Sequence, residues 1–526
     1  MNAIELSLFA HRLNAVCDEM GAVLKRTAVS PNIKDREDYS CALFDADGEL
    51  VAQAAHIPVH LGSMAYCMRD VVRRIDWQDG DVAVFNDPFL GGTHLPDITV
   101  VQAVFCDGQR IGFAASRAHH ADVGGITPGS MGIHRQLHDE GVVISPGLWW
   151  RAGREQSDFL HDFFVRVRNP DERLADLSAQ RACCACAIRR LQEIHASNDC
   201  RHAFKTLLEV SGAYGRTAIA AIPDGEYRFS DFLEDDGFDN GPLTIRTCIR
   251  IQGECASVDF SGSAPQSPGP VNCPMSVTAA AVFYAFRCLM PAETPQTSTI
   301  FRCIELSAPQ GSLLNPHAGA AVAAGNVETS QRIVDVVLGA LAEAIPERIP
   351  AAAQGTMNNV IFGGGSRSNA WVYYETLAGG MGAHANGDGL SAVQCHMTNT
   401  RNTSIEMLEM HYPLRITAYS VRLGSGGDGQ YHGGDGLIRE WQVLENCQVS
   451  LLSERRTSEP YGLNGGKSGA SGRNLLLRDG KTHVIAAKTT LDLKIGDRLR
   501  IETPGGGAYG PRPQTTEVKN AGESEI

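Results

Sequence analysis

Two apolar runs, Ile98 to Phe105 (ITVVQAVF) and Ile111 to Ala118 (IGFAASRA), stand on either side of Asp107–Gly108. Both runs are rich in residues that suit a pleated, buried surface, and Asp-Gly favours a two-residue turn with positive φ at both positions. The segment therefore reads as an antiparallel hairpin. Its open end carries two like motifs, His94-Leu-Pro-Asp97 before the first strand and His119-His-Ala-Asp122 after the second. A loop of Asp107-Gly108-Gln109 sets Asp97 opposite His119 and His94 opposite Asp122. A two-residue loop shifts the register by one and still gathers the four side chains at one end. Directly opposed Cβ atoms lie about 4.5 to 5.5 Å apart, near enough for one ion to bridge them.

Two imidazoles and two carboxylates without a thiolate suit Mn²⁺, Zn²⁺ or Fe²⁺ better than a softer ion. A hydrogen-bonded His–Asp network without any ion satisfies the same spacing. His120 falls on the other face of the strand and ranks below His119. In His56-Ile-Pro-Val-His60, Pro58 argues against the helical zinc spacing. That pair is expected in a turn before a helix starting near Gly62–Ser63, as pocket or core histidines first and ligands second.

Other chemistries leave no trace. There is no G-x-S-x-G elbow, and nothing singles out one of the 15 Cys as a nucleophile. Cys183, Cys184 and Cys186 are too closely spaced for a structural zinc site. Gly462 to Ser468 is one residue short of a phosphate loop and follows SERRTSEPY instead of an apolar strand, so it reads as a turn. The glycine runs at 424–436 and 503–510 fit either tight turns or anion-binding nests.

A net charge of -14 argues against a nucleic-acid partner. No stretch reaches the roughly 20 apolar residues that span a bilayer. Met1 to Ser30 has the pattern of an amphipathic helix, with Glu5, Arg12, Asp18, Glu19, Lys25 and Arg26 among its apolar residues, and lacks the form of a signal peptide. A cytoplasmic protein with reduced thiols is expected.

The fold class expected is α+β, in a mixed multi-domain chain. Residues 1–165 form a metal-bearing α/β region and 166–265 a helical segment followed by strands. A central α/β region covers 266–400, a glycine-rich β region (barrel or sandwich) 401–515, and a frayed tail 516–526. Helical periodicity runs from Asp171 to about Glu209, over Val277 to Met290 and over Ser330 to Ile345. Residues 225–262 alternate as strands, with a turn at Gly253, and the Pro/Ser/Gly-rich passage Ser261 to Pro274 is a candidate boundary.

Ten stretches together carry a resemblance: SPNIKDREDYSCALFDADGELVAQAAHIPVHLGSM, FNDPFLGGTHLPDITVVQAVF, RAHHADVGGITPGS, DEGVVISP, DLSAQ, DFSGSAPQSPGPVN, GNVETSQRIVDVVLGAL, HMTNTRNTSIEMLE, YPLRITAYSVRLGSGGDGQYHGGDG and TPGGGAYG. Over almost its whole length the chain resembles the hydantoinase B/oxoprolinase family. The resemblance implies one half of an ATP-dependent enzyme. The other half would be a hydantoinase A-like subunit with an actin-like ATPase fold, which binds ATP and Mg and is either separate or fused, as in eukaryotic 5-oxoprolinase. The implied substrate is a small cyclic amide: a hydantoin, N-methylhydantoin, 5-oxoproline or a lactam. The implied assembly is a heterodimer or an (AB)2 heterotetramer.

In the acetone carboxylase relatives, manganese is held by histidines and aspartates of the equivalent motif. Carried over, the ligands here are His94, Asp97 and His119, then Asp122, holding a divalent metal, Mn or Zn. The A subunit would phosphorylate the amide oxygen, and this chain would supply water activated at its metal, with His60 or Glu140 as general base. The alternative implied is a subunit of an ATP-dependent ketone carboxylase of the acetone/acetophenone type; a third is a non-catalytic scaffold. One departure stands out. Around Pro295 to Phe301 the family shows Asn-x-Gly, and here the corresponding positions are Thr297 and Ser298.

Overall fold

A computed structural model describes residues 1–54, 56–365 and 370–512; the tail expected at 516–526 lies outside the described residues. The hairpin is the middle of a seven-stranded sheet. Its strands are β1 (Tyr39–Asp45), β2 (Leu50–Gln53), β3 (Val82–Phe85), β4 (Asp97–Cys106), β5 (Gln109–His119), β6 (Gly147–Arg151) and β7 (Arg154–Glu155), in the order β2-β1-β5-β4-β3-β6-β7.

The turn between β4 and β5 has two residues, Asp107 (φ 49) and Gly108 (φ 72). By itself that turn would place Ala118 opposite Asp97. A bulge intervenes, pairing Phe105 with Arg110 but Val104 with Gly112, and the register beyond it sets Asp97 opposite His119. The expected pairing is thus reached by a two-residue turn plus a bulge rather than by a three-residue loop.

The hairpin is apolar on both faces because both are covered. Ala42, Phe44, Val101, Ala103, Phe113 and Ala115 pack under the Pro58–Arg73 helix through Met64, Met68 and Val71. On the other face Cys41, Leu43, Ala114 and Ala118 meet the helices Ala3–Thr27, Pro170–Ser197 and Cys200–Ala220. One core thus joins residues 6–54 to residues 179–208, across the division expected at 165.

Strands Gly225–Leu233, Leu243–Gln252, Cys255–Asp259 and Ile304–Ser307 form a second sheet. Its Ile245 and Ile249 share a core with Val277 and Ala281 of the Met275–Arg287 helix and with Ile333 and Val337 of the Ser330–Ala344 helix. The C-terminal region is β-rich, as expected. Phe362, Tyr373 and Val449 from a four-stranded sheet pack against Leu437, Trp441 and Leu499 from a five-stranded one, which makes it a sandwich.

The glycine runs between these strands are backbone-on-backbone contacts. A Cβ on Gly433 would lie 1.9 Å from the Gly506 carbonyl oxygen, and one on Gly505 would lie 1.9 Å from that of Ser425. The described residues are α+β, in several sheets with helices between them. Among the described residues, no helix is long and apolar enough to cross a membrane.

Candidate metal centre

Asp97 opens β4 and His119 closes β5, so the ladder itself presents them side by side. His94 joins them through a turn in which the Asp97 N–H donates to the His94 carbonyl at 3.1 Å. Asp97 Oδ1 is the focus: His94 Nε2 lies 3.1 Å from it and His119 Nδ1 3.2 Å. Ligand atoms of all three residues fall within 4.8 Å of one another, and all three residues are buried.

The partner of the His94 ring fixes which of its nitrogens is bare. His94 Nδ1 faces the Ala323 carbonyl at 3.3 Å. A carbonyl only accepts, so Nδ1 carries the hydrogen and the neutral ring turns the lone pair of Nε2 toward Asp97. His94 Nε2 and Asp97 Oδ1 are both buried and neither has a hydrogen-bond partner. Two acceptors at this separation repel unless a proton or a cation lies between them. The donor set therefore fits a divalent ion.

The other carboxylate oxygen is fully engaged. Asp97 Oδ2 accepts from Thr93 Oγ1 at 2.6 Å, faces His60 Nε2 at 3.1 Å and Asn326 Nδ2 at 3.4 Å. Burial works against the charge of Asp97, but the imidazoles around it, His60 first, hold its carboxyl well below the ordinary range. Burial pushes His119 down, against the pull of Asp97, and so favours the neutral imidazole that a metal requires. The His119 ring is stacked on Tyr374, with centroids 4.7 Å apart, and the Arg36 guanidinium lies 4.2 Å from the Tyr374 centroid.

His60 belongs to this cluster, and it is helical. The helix begins at Pro58, four residues earlier than expected, because proline at a first helical turn forfeits no intrahelical hydrogen bond. His60 Nε2 stands between Asp97 and, at 4.0 Å, Asp38 Oδ1. Nε2 faces two carboxylates, which only accept, so it carries the ring's hydrogen. The neutral ring's Nδ1 then accepts from Ser40 Oγ at 3.4 Å, and that oxygen in turn accepts the Ile57 N–H. His56 turns away from the cluster, toward a second cavity. Its Nδ1 accepts the Cys41 N–H at 3.3 Å, and burial pulls its pKa down to about 4.

Asp122 and Glu140 stand apart. Asp122 accepts the N–H groups of Gly124, Gly129 and Arg168 and pairs with Arg168 Nη1 at 2.7 Å, so it anchors the loop after the hairpin. The ladder ends at His119, and His120 N–H already bonds the Pro96 carbonyl. Glu140 accepts the N–H groups of Val322 and Ala323 at 2.9 to 3.1 Å, and burial, outweighing those bonds, pushes its carboxyl up to about 8. The Ala323 carbonyl orients His94, so Glu140 supports the cluster from behind. His120 turns to the opposite face, as expected, and bonds Gln180 at 2.9 Å.

The cavity at the cluster is small, about 20 Å³, room for one water-sized particle. Residues 56–60 and 397–400 separate it from a larger cavity of about 220 Å³: His56, Pro58 and Asn399 face that space, while His60, Thr398 and Thr400 face the cluster. Thr297, from the departing loop, and Phe283 line the larger cavity. Asp38, Asn326 and Tyr374 were not singled out from the sequence. Asp38 and Asn326 lie inside the resembling stretches KDREDYS and GNVETSQR, which gave no hint that they converge.

The family profile described as Hydantoinase B/oxoprolinase matches residues 2–512. An uncharacterized protein of Methanocaldococcus jannaschii is 39% identical over 97% of this chain and 91% of its own length. A 5-oxoprolinase of Dictyostelium discoideum is also 39% identical over 97% of this chain, which spans 40% of that protein's length. Among solved structures, the ATP-dependent caprolactamase from Pseudomonas jessenii superposes with a TM-score of 0.91 at 28% identity, covering 98% of this chain and 93% of that one.

Proposed function

The chain belongs to the hydantoinase B/oxoprolinase family, and from that premise we propose that it is the ion-carrying component of an ATP-dependent hydrolase that opens a cyclic amide. The observation that carries the reading is the buried, unpartnered pair of acceptors, His94 Nε2 and Asp97 Oδ1, beside His119. Manganese or zinc fits that donor set, and His94, Asp97 and His119 would hold it; when bound it supplies a Lewis acid.

A ring amide is a weak electrophile, and phosphorylation of its oxygen makes the carbon open to water. We assign that step to an ATPase part of the hydantoinase A type, separate or fused. The length of the oxoprolinase relative leaves room for such a part, since this chain spans 40% of it. Within this chain, His60 handles the proton. Its Nε2, held between Asp97 and Asp38, gives a proton to the ring nitrogen as the C–N bond breaks and regains one from the attacking water. Glu140 acts one step back, fixing through Val322 and Ala323 the carbonyl that orients His94.

The test is reconstitution with a hydantoinase A-type ATPase chain, offering 5-oxoproline, a hydantoin and caprolactam. The expected result is ATP-coupled ring opening that disappears together with the ion in His94→Ala. Full coupled activity in an ion-free His94→Ala chain would contradict the reading, and turnover that requires bicarbonate would favour the ketone carboxylase.

A further inference from the structure

Asn326 stands in the irregular turn of an otherwise α-helical run, because Gly325–Thr329 winds as a π-helix before continuing as the Ser330–Ala344 helix. A π turn inserts one residue and re-aims the side chains around it, which is why such turns recur at functional sites. Here Asn326 lines the cluster cavity and is 3% exposed.

Asp97 decides how the side-chain amide is oriented. Nδ2 donates to Asp97 Oδ2 at 3.4 Å. A carboxylate only accepts, so the NH₂ end must face Asp97 and Oδ1 must be the far end. Oδ1 is buried and has no hydrogen-bond partner. Close to the two bare acceptors that face one another, the site thus holds a third acceptor in need of a donor. A cation answers the first two. An N–H group answers the third.

Resting on the cyclic-amide reading above, we propose that Asn326 Oδ1 accepts the ring N–H of the substrate, so that the site reads the cis edge of the amide. A small ring forces its amide cis, which puts N–H and C=O on one edge of the molecule; an open-chain secondary amide is trans and shows them on opposite edges. The cis edge matches an acceptor beside an ion-holding cluster. The trans amide cannot present both groups there. Transfer of the γ-phosphoryl group from ATP to the carbonyl oxygen makes an O–P bond, releases ADP and leaves the N–H in place, so one acceptor serves the substrate before and after activation.

The test needs no partner chain. 2-Pyrrolidinone, N-methyl-2-pyrrolidinone and the trans amide N-methylacetamide are titrated into the manganese-loaded full chain, wild type and Asn326→Ala, with binding followed by saturation-transfer NMR and ion content by elemental analysis. Wild type is expected to bind the N–H lactam about tenfold tighter than the N-methyl lactam and the trans amide, the scale of one buried hydrogen bond. Asn326→Ala should keep its ion and bring the two lactams within about twofold of each other. An unchanged preference in the variant, or none in wild type, overturns the assignment. Should the variant fail to fold, the three-ligand comparison on wild type decides alone. If neither lactam binds wild type at all, the cyclic-amide reading falls, and the assignment with it.

Discussion

Asp97 and Asp122 are both fully buried aspartates at the open end of one hairpin, each three residues after a histidine, and their surroundings are opposite in kind. Asp122 is saturated: three backbone N–H groups and the Arg168 guanidinium take up its oxygens. Asp97 is divided, with Oδ2 held by Thr93, His60 and Asn326 while Oδ1 faces the bare nitrogen of His94. A buried carboxylate whose every lone pair is answered is part of the scaffold. One that confronts another acceptor has been arranged for something that is not protein.

That contrast can be broken at either end. The largest effect is expected from Asp97→Asn: the ion is lost and ring-opening activity in the reconstituted enzyme falls by about a thousandfold or more, the scale of removing a group that acts on the transition state. Asp122→Ala should do the reverse. It leaves a guanidinium and three N–H groups unanswered, so unfolding titrations should show a loss of about 3 kcal/mol, within the range for breaking a buried pair. Ion content in that variant should stay at the wild-type level. If Asp122→Ala loses the ion while remaining folded, Asp122 is a ligand and the contrast fails.

Thr93→Ala sharpens the comparison from the supporting side. It removes one hydrogen bond to Asp97 Oδ2 and leaves Oδ1 untouched, and ion affinity measured by competition with a chelator should fall by about tenfold. Glu140→Gln should change activity least, by about threefold or less, since a glutamine oxygen still accepts from Val322 and Ala323. A general base at Glu140 would instead cost orders of magnitude.

The same variant carries a pH signature. Burial raises the Glu140 carboxyl to about 8 in the folded chain, whereas the unfolded value is near 4.5. The folded state therefore holds a proton that the unfolded state has released across that window. This contribution to stability is complete below pH 4.5 and is lost as pH rises toward 8. Melting temperatures across that range should decline less steeply in Glu140→Gln than in wild type.

What the sequence made legible was local. The Asp-Gly turn and the apolar runs foretold the hairpin, whereas the pairing of Asp97 with His119, expected from a three-residue loop, is reached by a two-residue turn and a bulge that no local pattern announces. The C-terminal β region followed from short apolar runs between glycine clusters, although only the structure shows that Gly433 and Gly505 are there to let backbones touch. What was hidden depends on distant parts of the chain. The role of Asp122 is set by Arg168, 46 residues away. Asn326 reaches Asp97 across 229 positions, and no pattern within GNVETSQR announces a π turn. His60 was obscured for another reason: Pro58 looked like a helix breaker and is instead the first residue of the helix.

The most direct test of the central claim is elemental analysis of the purified chain, with wild type, His94→Ala and Asp122→Ala measured side by side. About one manganese or zinc per chain is expected in wild type and in Asp122→Ala, and none in His94→Ala. An ion retained in folded His94→Ala, or no ion in any of the three after loading with either metal, would contradict it and reduce the cluster to a hydrogen-bonded network.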